Sequence, residues 1–174
     1  MTNWVVDFAH SEISFQVKHM MVAKVKGHFD SYEAIVEAPD LENLTGANIR
    51  FEFDVESIYT KNKDRDNHLR SADFFNVEKY PKITFQSTSI TGSGSNYVIT
   101  GDLTIRNVTK PVTFDVTFNG KGTNPWGATV YGFEGQSVIK REDFGLTWNS
   151  QLETGGVLVG SEIKIFIDLE LSPQ

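Results

Sequence analysis

Alternation of apolar and polar residues with a period of two is the feature that most limits what this chain can become. It is the signature of strands with one buried face. Over 48–56, Ile49, Phe51, Phe53 and Val55 share one parity, and Arg50, Glu52, Asp54 and Glu56 take the other. The pattern recurs over 111–120, where Val112, Phe114, Val116 and Phe118 oppose Thr113, Asp115, Thr117 and Asn119. It recurs again over 161–171 through Ile163, Ile165, Ile167, Leu169 and Leu171, with Phe166 the one large apolar residue on the other face. Weaker versions occupy 12–19, 24–37, 83–90, 97–106 and 128–140. Together they predict about eight strands, or about nine if the segment that begins Trp4-Val5-Val6-Asp7-Phe8 pairs independently. Turn-forming residues separate them, among them Pro39-Asp40, the run 92–96 and Gly155-Gly156. No linker or shift of composition divides the chain, so residues 1–174 form a single domain in this reading.

One stretch argues for helix. Asn62 is suited to an N-cap, and 64–72 follows without Gly or Pro, with Asp66 and Arg70 spaced to meet on one face. Two or three turns cannot cover the apolar faces of so many strands. The sheet must therefore bury itself against a second sheet or close on itself. The predicted fold class is all-β, an eight-stranded antiparallel barrel with one short helix. Strands of this length favour an elongated interior: 162–171 spans roughly 33 Å at ~3.3 Å per residue. A barrel of that size either fills its interior with side chains or holds one small ligand.

The charge balance narrows the partners. There are 16 basic and 23 acidic residues and no Lys/Arg-rich run, which argues against nucleic acid. Contact with a membrane would need an apolar lip rather than a basic one. The chain has no cysteine, so disulfides and thiolate chemistry are excluded. No segment has the ~18 consecutive apolar residues of a membrane-spanning helix. Met1-Thr2-Asn3 leads at once into a strand pattern without a signal-like segment, so the expected location is cytoplasmic. A mature form freed of its signal would instead be periplasmic or secreted.

Few residues invite a chemical reading. His10, His19 and His28 recur at a spacing that no single helix or strand brings together, and no zinc-enzyme pattern is present, so no metal is expected. Arg65, Asp66 and His68 belong to the densest polar cluster, which could serve acid–base chemistry or supply caps and surface ion pairs. No nucleophile elbow or phosphate-binding glycine loop occurs, and the chain is read as a binder rather than an enzyme. His19 shares the parity of Ile13, Phe15 and Val17, placing it at the end of an inward row, either as a rim histidine bonded to a backbone carbonyl or where the polar head of a ligand would stop. Many of the 13 phenylalanines also sit inward, which allows a lined tunnel and equally a filled core.

The order of motifs then becomes familiar. Asp7-x-x-His10-Ser11-x-Ile13-x-Phe15, Val17-Lys18-His19 and Gly27-x-Phe29 are followed by Arg65-Asp66-x-His68-Leu69-x-Ser71-x-Asp73-Phe74-Phe75. Tyr80-Pro81-x-Ile83-x-Phe85, Gly101-Asp102-Leu103-Thr104-Ile105, Val108-Thr109-Lys110-Pro111-Val112 and Arg141-x-Asp143-Phe144-Gly145 complete the series. It resembles the YceI-like, or polyisoprenoid-binding, family over nearly the whole chain. The resemblance implies an extended lipocalin-like barrel whose tunnel holds a long isoprenoid or similar amphiphile, and it implies pairing into homodimers. Asn107 stands where the family usually has Gly, and Asn tolerates the left-handed backbone such a turn requires.

The expected function is therefore to bind, and to sequester or carry, a long-chain apolar or amphiphilic lipid. No cofactor is expected beyond that ligand, and membrane contact would be transient. The residues assigned to the ligand are Phe15, Val17, His19, Phe29, Phe51 and Phe53, then Val55, Arg65, Asp66, His68 and Phe85. Phe114, Val116, Phe118, Ile165 and Ile167 complete the set. The rival readings are an enzyme working on an isoprenoid or quinone head group through His19, or through His68 with Asp66, and a filled barrel that acts through its surface.

Overall fold

In the computed structural model, which describes residues 1–153 and 155–174, the alternating segments form one antiparallel sheet of eleven strands. These are β1 (Thr2–Val6), β2 (Glu12–His19), β3 (Ala23–Phe29), β4 (Tyr32–Ala38), β5 (Asn48–Asp54) and β6 (Ile58–Tyr59). After the helix α1 (Lys63–Arg70) come β7 (Lys82–Ser93), β8 (Asn96–Ile105), β9 (Val108–Thr123), β10 (Thr129–Lys140) and β11 (Val159–Pro173). The order is β1-β4-β5-β7-β8-β9-β10-β11-β2-β3-β6, and β11 also pairs with β1, which closes the ring.

Eleven segments make an eight-stranded barrel because three of its staves are broken. β1 and β2 lie end to end along β11, at Val6↔Leu171 and Glu12↔Asp168. β3 and β4 continue one another across Asp30-Ser31, and β5 and β6 across a 3-10 turn at Val55–Ser57. The break in the first stave is a second 3-10 turn, Phe8–His10, capped by the Asp7 carboxylate, which accepts from the Ala9 N–H at 3.0 Å. Between Trp4↔Val36 and Ser14↔His28 no backbone hydrogen bond joins the first two staves among the described residues. The barrel wall is thus unlaced at this point.

The inward parity is as the alternation requires. Ile49, Phe51 and Phe53 on β5, Val112, Phe114 and Val116 on β9, and Leu169 and Leu171 on β11 are all buried. Ile163, Ile165 and Ile167 pack against the same core. Gly101 is an inward position on β8 that must stay small, since a Cβ there would stand 2.4 Å from Cζ of Phe85. The β8–β9 turn departs from expectation: Arg106, not Asn107, adopts the left-handed backbone, at φ +56°. Its guanidinium lies 5.8 Å from the Tyr80 ring centroid and donates to the Gly145 carbonyl at 3.1 Å, interactions that asparagine could not make from that position.

The two ends differ. At one, the connection 39–47 tucks Leu41 and Leu44 under the barrel, and Trp4, Tyr97, Phe118, Tyr131 and Phe133 pack around them. Trp4 Nε1 donates to the Ala38 carbonyl at 3.1 Å and Tyr97 Oη to the Glu42 carbonyl at 3.0 Å, so the polar tips of both large rings are satisfied. The other end carries α1, the segment 71–81 and the described parts, 145–153 and 155–158, of the connection that precedes β11. Arg141, buried at 2% exposure, organises that connection by donating to the carbonyls of Leu146, Trp148, Val159 and Gly160.

Candidate functional site

Inward side chains do not fill the barrel. A cavity of about 220 Å³ remains, far above the ~10–15 Å³ on the same measure that admits one water. It runs from Val36 and Leu44 near the closed end to Leu69, Phe74, Leu146 and Val159 at the helix end, and its wall is almost wholly apolar. Phe15, Val17, Phe29, Phe51, Phe53 and Phe85 line it, as do Phe114, Val116, Ile165 and Ile167. The rings hold one another in stacked, tilted or edge-on pairs. Phe85 and Phe114 meet edge to face at 5.4 Å, and Phe29 touches Phe15, Phe53 and Phe75 at 5.8, 5.8 and 6.2 Å. Such contacts fix the wall while leaving faces free toward the lumen.

The other assigned residues lie elsewhere, each for a definable reason. Val55 is buried, but the 3-10 turn after β5 rotates it off the wall. Phe118 keeps the inward parity yet sits beyond the cavity, stacked on Tyr131 and tilted against Phe133 at the closed end. His19 ends β2 opposite Ala23 and Val159, at the hairpin rather than the lumen. The polar cluster is a clamp for the helix. Asn62 caps α1 as expected, its side chain accepting from the Arg65 N–H at 3.0 Å. Asp66 makes no pair with Arg70. It is buried and accepts from the Thr60 N–H at 3.0 Å and from the Thr60 hydroxyl, while Arg65 Nε donates to that hydroxyl at 2.9 Å. Arg70 instead donates to the carbonyls of Glu56 and Ile58. His68 bonds Asp73 at 2.8 Å and stacks edge-on against Trp148 and Phe74 outside the lumen.

Residues that the alternation did not single out complete the wall. Leu69, Phe74 and Phe75 come from α1 and the irregular segment after it, and Leu146 from the connection held by Arg141. No period marks such segments; Leu69, Phe74 and Phe75 were visible only as part of the motif running from Arg65 to Phe75, and Leu146 not at all.

A second, polar space of about 470 Å³ opens at the gap in the wall, among Phe8, His10, Glu12, His28, Asp30 and Asp168. Beside it, His10 Nδ1 bonds Asp7 at 2.8 Å and approaches Glu170 at 3.4 Å. The Asp7 hydrogen bond raises the His10 pKa, and the same bond lowers that of Asp7; burial raises that of Glu170. These three are metal-type donors, but Asp7 already serves the turn and His10, so the trio is internally satisfied.

Comparison with known proteins agrees with this architecture. The YceI-like domain matches residues 4–171. A UPF0312 protein of Staphylococcus aureus is 44% identical over 173 residues, covering 99% of this chain and 98% of its own. The structure of BcnA from Burkholderia cenocepacia superposes with a TM-score of 0.81 at 28% identity, over 95% of this chain and 99% of its own. A polyisoprenoid binding domain from Saccharophagus degradans shares the fold, with a TM-score of 0.70 at 12% identity over 100% of both chains.

Proposed function

The chain belongs to the YceI-like domain family, and we propose that it binds one long apolar or amphiphilic chain, of polyisoprenoid type, in the barrel lumen and carries it. The observation that carries this reading is the apolar cavity running between the two ends of the barrel. Burial is worth ~0.8 kcal/mol per CH₂, or ~4 kcal/mol for a five-carbon unit. A few such units offset the ~4–15 kcal/mol that association costs, with no polar contact required. The likeness in fold to a polyisoprenoid binding domain supports the ligand class. Mass spectrometry of an organic extract of the purified protein tests it. A long-chain lipid at one per chain is expected; protein that carries none and takes up no added polyprenol would overturn the reading.

A carrier must meet the membrane that stores its cargo. The β2–β3 hairpin offers a lip for this at the helix end: Met20, Met21 and Val22 are 45%, 60% and 88% exposed. Lys18 and Lys24 face one another just behind, a basic collar on an otherwise acidic protein. Apolar tip and basic collar together suit shallow, reversible contact with an anionic bilayer.

A further inference from the structure

An amphiphile has a polar end, and the lumen wall offers little to hold it. Three observations converge on the gap between the first two staves. First, the polar cleft there and the lumen share Ile13 and Phe29, so these two side chains stand between them. Second, Tyr32 lines the cleft, and its hydroxyl is buried and has no hydrogen-bond partner among the described residues. Its ring is held by Phe8 at 5.0 Å and Phe53 at 5.5 Å. A buried donor without a partner is unusual enough to need an explanation, and a ligand oxygen supplies one. Third, the surroundings are acidic. Glu12, Asp168 and Glu134 stand side by side across β2, β11 and β10, an arrangement of like charges that disfavours the sheet. Asp30, Asp7 and Glu170 add to it, and the histidines present, His10 and His28, are each tied to a carboxylate, at 2.8 and 2.6 Å.

We propose that this side cleft holds the polar end of the chain bound in the lumen, with the Tyr32 hydroxyl donating to its oxygen, and that it selects an uncharged head such as an alcohol, carbonyl or quinone over a phosphate. The assignment rests on the lumen being the site of the apolar chain. Burial raises the Tyr32 pKa, which keeps the hydroxyl protonated and able to donate. The carboxylates around the cleft repel a phosphate, while an uncharged oxygen meets no such field.

Delipidated protein titrated with a polyprenol, the corresponding polyprenyl phosphate and a prenyl hydrocarbon of equal length tests the assignment. The expected order is alcohol tightest, with about a five-fold advantage over the hydrocarbon, the worth of one net hydrogen bond. Tyr32→Phe should abolish that advantage and leave hydrocarbon binding unchanged. Since the lost hydroxyl has no partner, the variant should melt no lower than wild type. Asp168→Lys should narrow the preference for alcohol over phosphate while relieving a repulsive row. An unchanged alcohol advantage in Tyr32→Phe, or phosphate bound as tightly as alcohol by wild type, overturns the assignment but not the lumen reading. Failure to bind even the hydrocarbon overturns both.

Discussion

Two phenylalanines, buried to a similar degree, provide a test of whether the lumen is hollow in solution. Phe144 is 2% exposed in the core and lies off the cavity wall; Phe114 is 7% exposed and lines it. In a close-packed interior Phe→Ala costs ~3–5 kcal/mol, partly transfer free energy and partly the contacts forfeited around the new void. Phe144→Ala should fall near the middle of that range, about 4 kcal/mol. The lumen-facing side of Phe114 has no partners to lose, so its contact contribution is smaller. Its edge-on pairing with Phe85 restores about 1 kcal/mol. A cost of about 2–3 kcal/mol is expected for Phe114→Ala in delipidated protein. Urea unfolding at 25 °C, read as the shift in midpoint at constant m-value, measures both. Saturating ligand, at ~100 times its dissociation constant, should then add ~2.7 kcal/mol to wild type and less to Phe114→Ala. Equal costs for the two substitutions would mean that the lumen collapses without ligand, and would refute the argument from a preformed cavity.

Asp66→Ala strips the buried Thr60 N–H of its acceptor and should cost about 2–3 kcal/mol by thermal melting, with ligand affinity in the lumen nearly unchanged. The first-stave turn should be sensitive to pH. Its His10 contribution is complete below the ordinary histidine value of 6.5 and is lost as pH rises through the raised folded value, whereas that of Asp7 holds above 3.8 and is lost as pH falls through its lowered one. Glu170, raised by burial, opposes Asp7 on the acid side. Corrected amide-exchange protection at His10 N–H should therefore decline as pH is raised past 6.5, and His10→Ala should remove that decline. For the hairpin lip, Val22→Glu should weaken flotation with anionic vesicles without altering the melting temperature; unchanged flotation would place membrane contact elsewhere.

Alternation made the wall legible because parity alone decides which side of a strand faces inward. Phe51 and Phe53, or Ile165 and Ile167, needed no knowledge of their partners. Parity does not say how deep along the barrel a residue sits. Phe118 and His19 have the parity of wall residues, and each lies beyond the cavity, one at the closed end and one at a hairpin. Val55 stands off the wall because a 3-10 turn replaces the strand from that residue onward. The gap was hidden for a different reason. Asp7, His10 and Ser11 are near in sequence, but their turn is tied to the wall by Glu170, which donates its N–H to the Ser11 hydroxyl across a separation of 159 residues. Asp66 carried the charge of a surface pair, and only the placement of Thr60 turned it into a buried acceptor.

The pairing of β1 with β11 also sets the order in which the protein can be completed. Trp4 lies opposite Pro173, so the closing seam joins residues separated by nearly the whole chain. Such non-local pairing is slow, on the order of milliseconds to seconds even for small barrels, and synthesis at ~5–20 residues per second is slower still. Until β11 arrives, β10 has one free edge and β1 another, and the apolar rows facing the future lumen have nothing across from them. A nascent chain in that state has long unpaired edges and no place to hold a lipid. Substitutions that weaken β11 against either neighbour should thus reduce the yield of soluble protein more than they reduce the stability of the molecules that do close.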